Sequence, residues 1–244
     1  MATEKIKKIR LIISRPDVAN VLCELMLLGC VEISSRDELL DDPELASLVS
    51  LERSELETCL SDQASLDRAL DILDTYSPEV AGAPVAKQEL TLDKLLFETY
   101  PESCLMLAKS LETLDSMMLI LPAEEHAELV SQIREAAAHR ESIKLCYDHY
   151  SVRILLAQTI EKMLGTDRTL LLTGWTTSKT EIELESKLSQ YICAWELTTP
   201  TPGETANVPA MQKTTKLFGR FQNNDGKLFD PLVLKTKYVE VIRG

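Results

Sequence analysis

Two stretches of the chain repeat apolar positions at alternating spacings of four and three, the seam of a coiled coil. From Ala123 to Leu164 the series includes Leu129, Ile133, Ile143, Tyr147, Tyr150, Ile154 and Leu164, broken by Arg140 and Glu161. From Pro43 to Tyr76 it includes Leu45, Val49, Leu56, Cys59, Leu66, Leu70 and Leu73. At a rise of about 1.5 Å per residue the later stretch makes a helix of roughly 60 Å, too long for a compact domain to cover, so it calls for the earlier stretch as its partner. Between them, proline and glycine over Ser77–Pro84 turn the chain, and Thr91–Phe97 and Ser103–Leu121 read as shorter helices that lead back into the seam.

The ends of the chain follow another rule. Lys8 and Arg10 alternate with Ile9, Leu11 and Ile13, the period of two of a strand with one wet face. Val18, Val21, Leu22, Leu25 and Leu28 then recur at helical spacing, Gly29 stops that helix, and Cys30–Ile33 reads as a second strand. Strand, helix and strand within about thirty residues have the length of a βαβ unit. The same order returns after Gly165. Thr169–Thr173 is a strand, Thr177 or Ser178 caps a helix lined by Ile182, Leu184 and Leu188, and Cys193, Trp195 and Leu197 alternate as a strand. Offset by 163 residues, Leu25 falls on Leu188 and Cys30 on Cys193, a faint echo of the first unit. Thr198–Pro209 is a linker, and Leu217–Phe221 and Tyr238–Ile242 are candidate tail strands around the turn Asn224–Gly226.

The expected fold is therefore α+β, a long antiparallel, coiled-coil-like helical hairpin with two small α/β lobes at its ends. Residues 1–42 supply the first part of one lobe, 43–164 the hairpin arm with its short intervening helices, and 165–244 the second lobe with the tail strands.

Charge and composition narrow the function. A formal net charge of -13 argues against a nucleic-acid surface, which needs a basic stripe. No apolar run approaches the roughly 18 residues of a membrane span, so none is expected in this chain. The six cysteines form no C-x-x-C pair and follow no signal peptide, which predicts reduced thiols in the cytoplasm. His126, His139 and His149 are spaced too widely for a helical metal site and read as solvated helix residues. Cys146 and His149 lie one turn apart but lack a third ligand. Without a phosphate loop, a nucleophile motif or a convergent carboxylate pair, the sequence predicts no enzyme, no cofactor, no metal and no small-molecule ligand. Trp175, after Gly174 at a strand end, reads first as core and second as a partner anchor.

Lys7–Leu11 opening a strand, Leu28-Gly29-Cys30-Val31-Glu32-Ile33 closing the first unit, and Tyr147-Asp148 before Leu170-Leu171-Leu172-Thr173-Gly174-Trp175 carry a resemblance. Over roughly Lys5–Pro209 the chain resembles the N-terminal cytoplasmic half of subunit I, also called subunit a, of V-type ATPases and ATP synthases. The family usually follows Gly-Trp with Val-Pro, where this chain has Thr176 and Thr177. Its membrane half, with the arginine used in proton translocation, has no counterpart here. The resemblance implies two lobes on a helical hairpin, peripheral-stalk subunits as partners, and a place in the cytoplasm at the face of a membrane-bound complex. The function it implies is that of a stator element that resists torque in proton- or ion-transport machinery. The candidate partner-binding residues are Lys8, Arg10 and Trp175; the first two belong to a basic group with Lys5, Lys7 and Arg15 in an otherwise acidic chain. The rival expectation is a regulatory module whose lobes bind a ligand and whose helical arm carries the signal.

Overall fold

The computed structural model describes residues 5–40, 45, 55–78, 87–202, 208–209 and 228–242. It divides into two units, the first from residues 1–54 and 158–234, the second from 55–157 and 235–244.

The first unit is built on one sheet. Strand β1 (Ile6–Ser14) leads through a 3-10 turn into helix α1 (Val18–Leu28) and then β2 (Val31–Ile33), followed by the short α2 (Asp37–Leu40). Gly29 ends α1 in the left-handed region at φ 60°, its N–H donating to Leu25 O, which is why the helix stops where glycine appears. After the second unit the chain returns as β4 (Leu164–Gly165), β5 (Thr169–Thr177), α8 (Glu181–Leu188) and β6 (Cys193–Thr198). The main strand order is β2-β5-β1-β6, all neighbours antiparallel, with β4 on the end of β5. Ile9, Leu11 and Ile13 project from one face of β1, are fully buried, and sit in register with Gly174, Leu172 and Leu170. Val21, Leu22 and Leu25 of α1, and Leu184 and Leu188 of α8, close the core of this unit.

Two expectations are corrected here. The N-terminal and C-terminal segments do not make two lobes at opposite ends of an arm: β1 lies between β5 and β6 in a single sheet. The βαβ unit is split, because β5 inserts between β1 and β2. The faint internal echo is the signature of this arrangement. β1 at residues 6–14 and β5 at 169–177 differ by the same 163-residue offset, and each is followed by a helix and an outer strand.

The second unit is helical. It contains α3 (Leu56–Tyr76), β3 (Gln88–Thr91), α4 (Leu92–Phe97), α5 (Pro101–Met118), α6 (His126–Ala136) and most of α7 (Arg140–Ile160), with β7 (Val239–Ile242) pairing parallel to β3. A 3-10 turn at Ala137–His139 joins α6 to α7, and another at Ala123–Glu125 precedes α6, so the helical run extends from 123 to 160. It stops short of Leu164 because Lys162 and Met163 donate back to Thr159 O and Ile160 O, tightening the last turn, and Leu164 passes into β4.

The predicted long antiparallel hairpin does not form among the described residues. α3 is 21 residues long, and α5 packs as a third rod against α3 and α6. One core joins Leu66, Leu70 and Leu73 of α3, Ala108 and Leu111 of α5, and Ile133, Ile143, Cys146 and Tyr150 of α6 and α7. Cys59, Leu66, Leu70 and Leu73 of one seam and Leu129, Ile133, Ile143, Tyr150 and Ile154 of the other are buried as spaced, but Leu56 and Tyr147 are only partly buried, and the burying partner is two helices rather than one. The expected strand Leu217–Phe221 and turn Asn224–Gly226 lie outside the described residues, as does most of Pro43–Ser54.

Candidate functional site

Of the residues that carry the resemblance, Lys7–Leu11, Leu28–Ile33 and Leu170–Trp175 meet in the first unit, whereas Tyr147 and Asp148 lie on α7 in the second. Register places Val31, Glu32 and Ile33 of β2 opposite Thr176, Trp175 and Gly174 of β5. A Cβ on Gly174 would lie 2.2 Å from the Glu32 carbonyl oxygen, so only glycine allows β2 to approach here. Thr176 donates its hydroxyl to Cys30 O at 2.8 Å, bonding the start of β2 to β5. The segment before residue 234 closes the other side of β2: Leu232 N donates to Val31 O at 2.7 Å and Asp230 N to a Glu32 carboxylate oxygen at 2.9 Å. That bond satisfies a glutamate which is 3% exposed. Burial first, and then the Glu183 charge, push the Cys30 thiol up from its ordinary value, which keeps it protonated.

On the face away from α1 and α8, pairing sets out a row across four strands: Glu32, Trp175, Lys8 and Thr198. The next row holds Thr173, Arg10 and Glu196. Burial runs across these rows, from Trp175 at 1% and Thr173 at 4% exposed, through half-buried Lys8, to exposed Arg10, Ile12 and Glu196. Trp175 is therefore core and has no surface to offer a partner in this structure. Arg10 and Glu196 approach to 3.7 Å with both side chains about half exposed, a contact worth at most about 1 kcal/mol.

The basic group named in the sequence is not one patch. Lys7 alternates to the opposite face and meets Glu181 at 3.0 Å, while the Arg15 guanidinium donates to Thr166 O at 2.8 Å. Lys8 and Arg10 alone share the outer face of β1. No family model matches the chain, and no curated protein matches it. Among the described residues no helix is long and apolar enough to cross a membrane, and no group of three or more His, Cys, Asp or Glu residues is placed to hold a metal.

Two features of the second unit escaped the sequence. Asp148 is fully buried and accepts the backbone N–H groups of Lys237, Tyr238 and Val239 at 2.7, 2.7 and 2.8 Å. Its signal is only a carboxylate beside buried helix positions, and the partner lies some ninety residues away. His149, expected to be solvated, is 6% exposed, and its Nδ1 faces Leu95 O at 3.2 Å. It does not converge with Cys146, whose Sγ is directed at Pro101 O.

Proposed function

We propose that this chain is a non-catalytic stator element of a rotary V-type ATPase or ATP synthase, working at the cytoplasmic face of a membrane-bound complex. In that role it binds peripheral-stalk subunits and helps resist torque while the complex moves protons or other ions. The observation that carries the reading is the register of Val31–Ile33 against Gly174–Thr176. Of the four stretches that carry the resemblance to subunit I, Leu28–Ile33 and Leu170–Trp175 are the more specific in combination. In the fold they form one joint, in which Gly29 ends a helix and Gly174 admits a neighbouring strand. Residues so constrained are what a shared fold would keep in common.

The surface offered to a stalk is the outer strip of β1 and β6, with Lys8 and Arg10 beside the exposed Ile12. The Arg10–Glu196 pair, with both side chains about half exposed, can be exchanged for an acidic partner at little cost. Binding of the purified chain to the cognate stalk heterodimer tests this, at low and at raised salt. The expected result is an on-rate that falls as salt rises, and that falls by about tenfold or more at low salt when Lys8 and Arg10 are both changed to Glu. A folded chain with no binding up to high micromolar concentration overturns the stator reading. Binding that ignores both substitutions moves the interface away from β1.

One observation favours a second reading, that of a ligand-binding regulatory module. A surface pocket of about 340 Å³ opens in the second unit beside α5. A small molecule bound there would raise the melting temperature by mass action, whereas stalk attachment alone predicts no such ligand.

A further inference from the structure

The first turn of α5 and the second turn of α7 cross with their cysteines facing. Cys104 Sγ is 3.5 Å from Ser142 O, and Cys146 Sγ is 4.0 Å from Pro101 O, so each sulfur points at the backbone of the other helix. Ser142 stands one helical turn before Cys146 and Pro101 one turn before Cys104, so these two contacts bring the thiols side by side where the helices meet. Their exposure differs: Cys146 is fully buried, whereas Cys104, at 6%, lines the pocket with Tyr100, Ser103, Leu107, His139 and Leu145. An arriving molecule therefore meets Cys104 first and finds Cys146 directly behind it.

We infer that Cys104 and Cys146 form a modification site, in which a small disulfide entering the pocket is reduced and the two cysteines are joined. The Cys104 thiolate attacks one sulfur of the incoming disulfide RSSR, making Cys104–S–S–R and expelling RS⁻, which takes up a proton. Cys146, as it loses its proton, attacks the Cys104 sulfur and expels the second RS⁻. The pair loses two electrons and two protons, and RSSR leaves as two RSH. The neighbouring Cys146 thiol holds Cys104 down from its ordinary value against the opposing effect of burial, which favours Cys104 as the thiol that attacks first. Cys146 is pushed up, first by the neighbouring Cys104 thiol and then by burial and the Asp62 charge, which suits a thiol that reacts second. The product ties α5 to α7 across the core of the helical unit.

The test uses the reduced full chain, oxidised glutathione as probe and native buffer, with circular dichroism to show that the fold is kept. Alkylation and peptide mapping then read the products. The expected product is a Cys104–Cys146 disulfide, with a mass lower by one pair of hydrogens, exceeding any adduct on half-exposed Cys193 by at least about tenfold because the second thiol is already in place. Cys146→Ser should stop at a glutathione adduct on Cys104. Cys104→Ser should leave Cys146 unmodified. The inference is overturned if the folded wild-type chain carries the adduct on Cys193 while Cys104 and Cys146 stay reduced. It is equally overturned if the cross-link appears only in denaturant, and both results are read on the wild-type chain, whether or not a variant folds.

Discussion

At the scale of single residues, the side chains that matter most are polar ones placed where the sequence pattern asks for apolar ones. Arg140 interrupts the seam, yet it is 6% exposed and pairs with the Asp74 carboxylate in the last turn of α3 while donating to the carbonyl of Ser77, which caps that helix. A cation at a helix C-terminus is favoured by the dipole, and Arg134 adds to it through Tyr76 O at 3.1 Å. His149 is the counterexample, because nothing gains from its charge. Burial holds its pKa below 6.5, opposed in part by the bond to Leu95 O and assisted by the Arg153 guanidinium. The unfolded chain binds this proton near pH 6.5 and the folded chain does not, so below 6.5 the unfolded state holds more protons and stability falls with pH. Melting curves between about pH 7 and pH 5 should show that loss, and His149→Gln should reduce it. An identical slope in the two proteins would mean that His149 titrates normally in the fold.

At the scale of elements, the question is how many helices share the seam. Leu111 of α5 and Ile143 of α7 are both fully buried in one cluster. Leu111→Ala and Ile143→Ala should each cost about 2–5 kcal/mol in denaturant unfolding. A two-helix hairpin predicts a loss for Ile143 alone, so a nearly neutral Leu111→Ala would restore it. The outcome bears on what periodicity can reveal. Spacing of three and four identified α1, α3, α5, α6, α7 and α8, alternation identified β1 and β6, and an apolar, β-rich run identified the first part of β5, because those signals are local and each face must be buried somewhere. Where a face is buried is not local. Leu66 and Leu70 look the same in sequence whether one helix or two cover them, and nothing in Ile9 or Leu11 says that their neighbour is Gly174 or Leu172, more than 160 residues on. The candidate site was legible to the same extent. Lys8 and Arg10 could be placed on one strand face from alternation, whereas the burial of Trp175 depends on neighbours distant in sequence, among them β2 and β1 on either side of it, and it proved to be core.

For the whole molecule, the chain passes from the first unit to the second at residue 55, returns at 158, and passes back again at 235. The last passage is the least expected, because it gives the helical unit a strand from the far end of the sequence. Asp148 is what receives it: one buried carboxylate meets three consecutive N–H groups, fixing Lys237–Val239 so that β7 can pair with Gln88–Thr91. Tyr238 adds an edge-on contact with Tyr147 at 5.5 Å, and Lys237 reaches Asp67 at 3.0 Å, so the anchor draws on both α7 and α3. Hydrogen bonds to a charged group contribute about 1.5–3 kcal/mol each, and a buried donor left unpaired costs about as much again as an ordinary bond contributes. Asp148→Asn keeps the size but replaces one acceptor oxygen with an amide that donates, setting N–H against N–H where Asp148 now accepts. The expected loss is on the order of 2–4 kcal/mol. Hydrogen exchange locates it: the amides of Lys237–Val239 and of β3 should lose protection first, while those of the β1–β5 ladder keep theirs. Unchanged protection at Val239 would show that β7 is held by its pairing with β3 and that Asp148 is dispensable. Loss spread evenly into the β1–β5 ladder would show instead that the two units unfold as one, which the separate cores argue against.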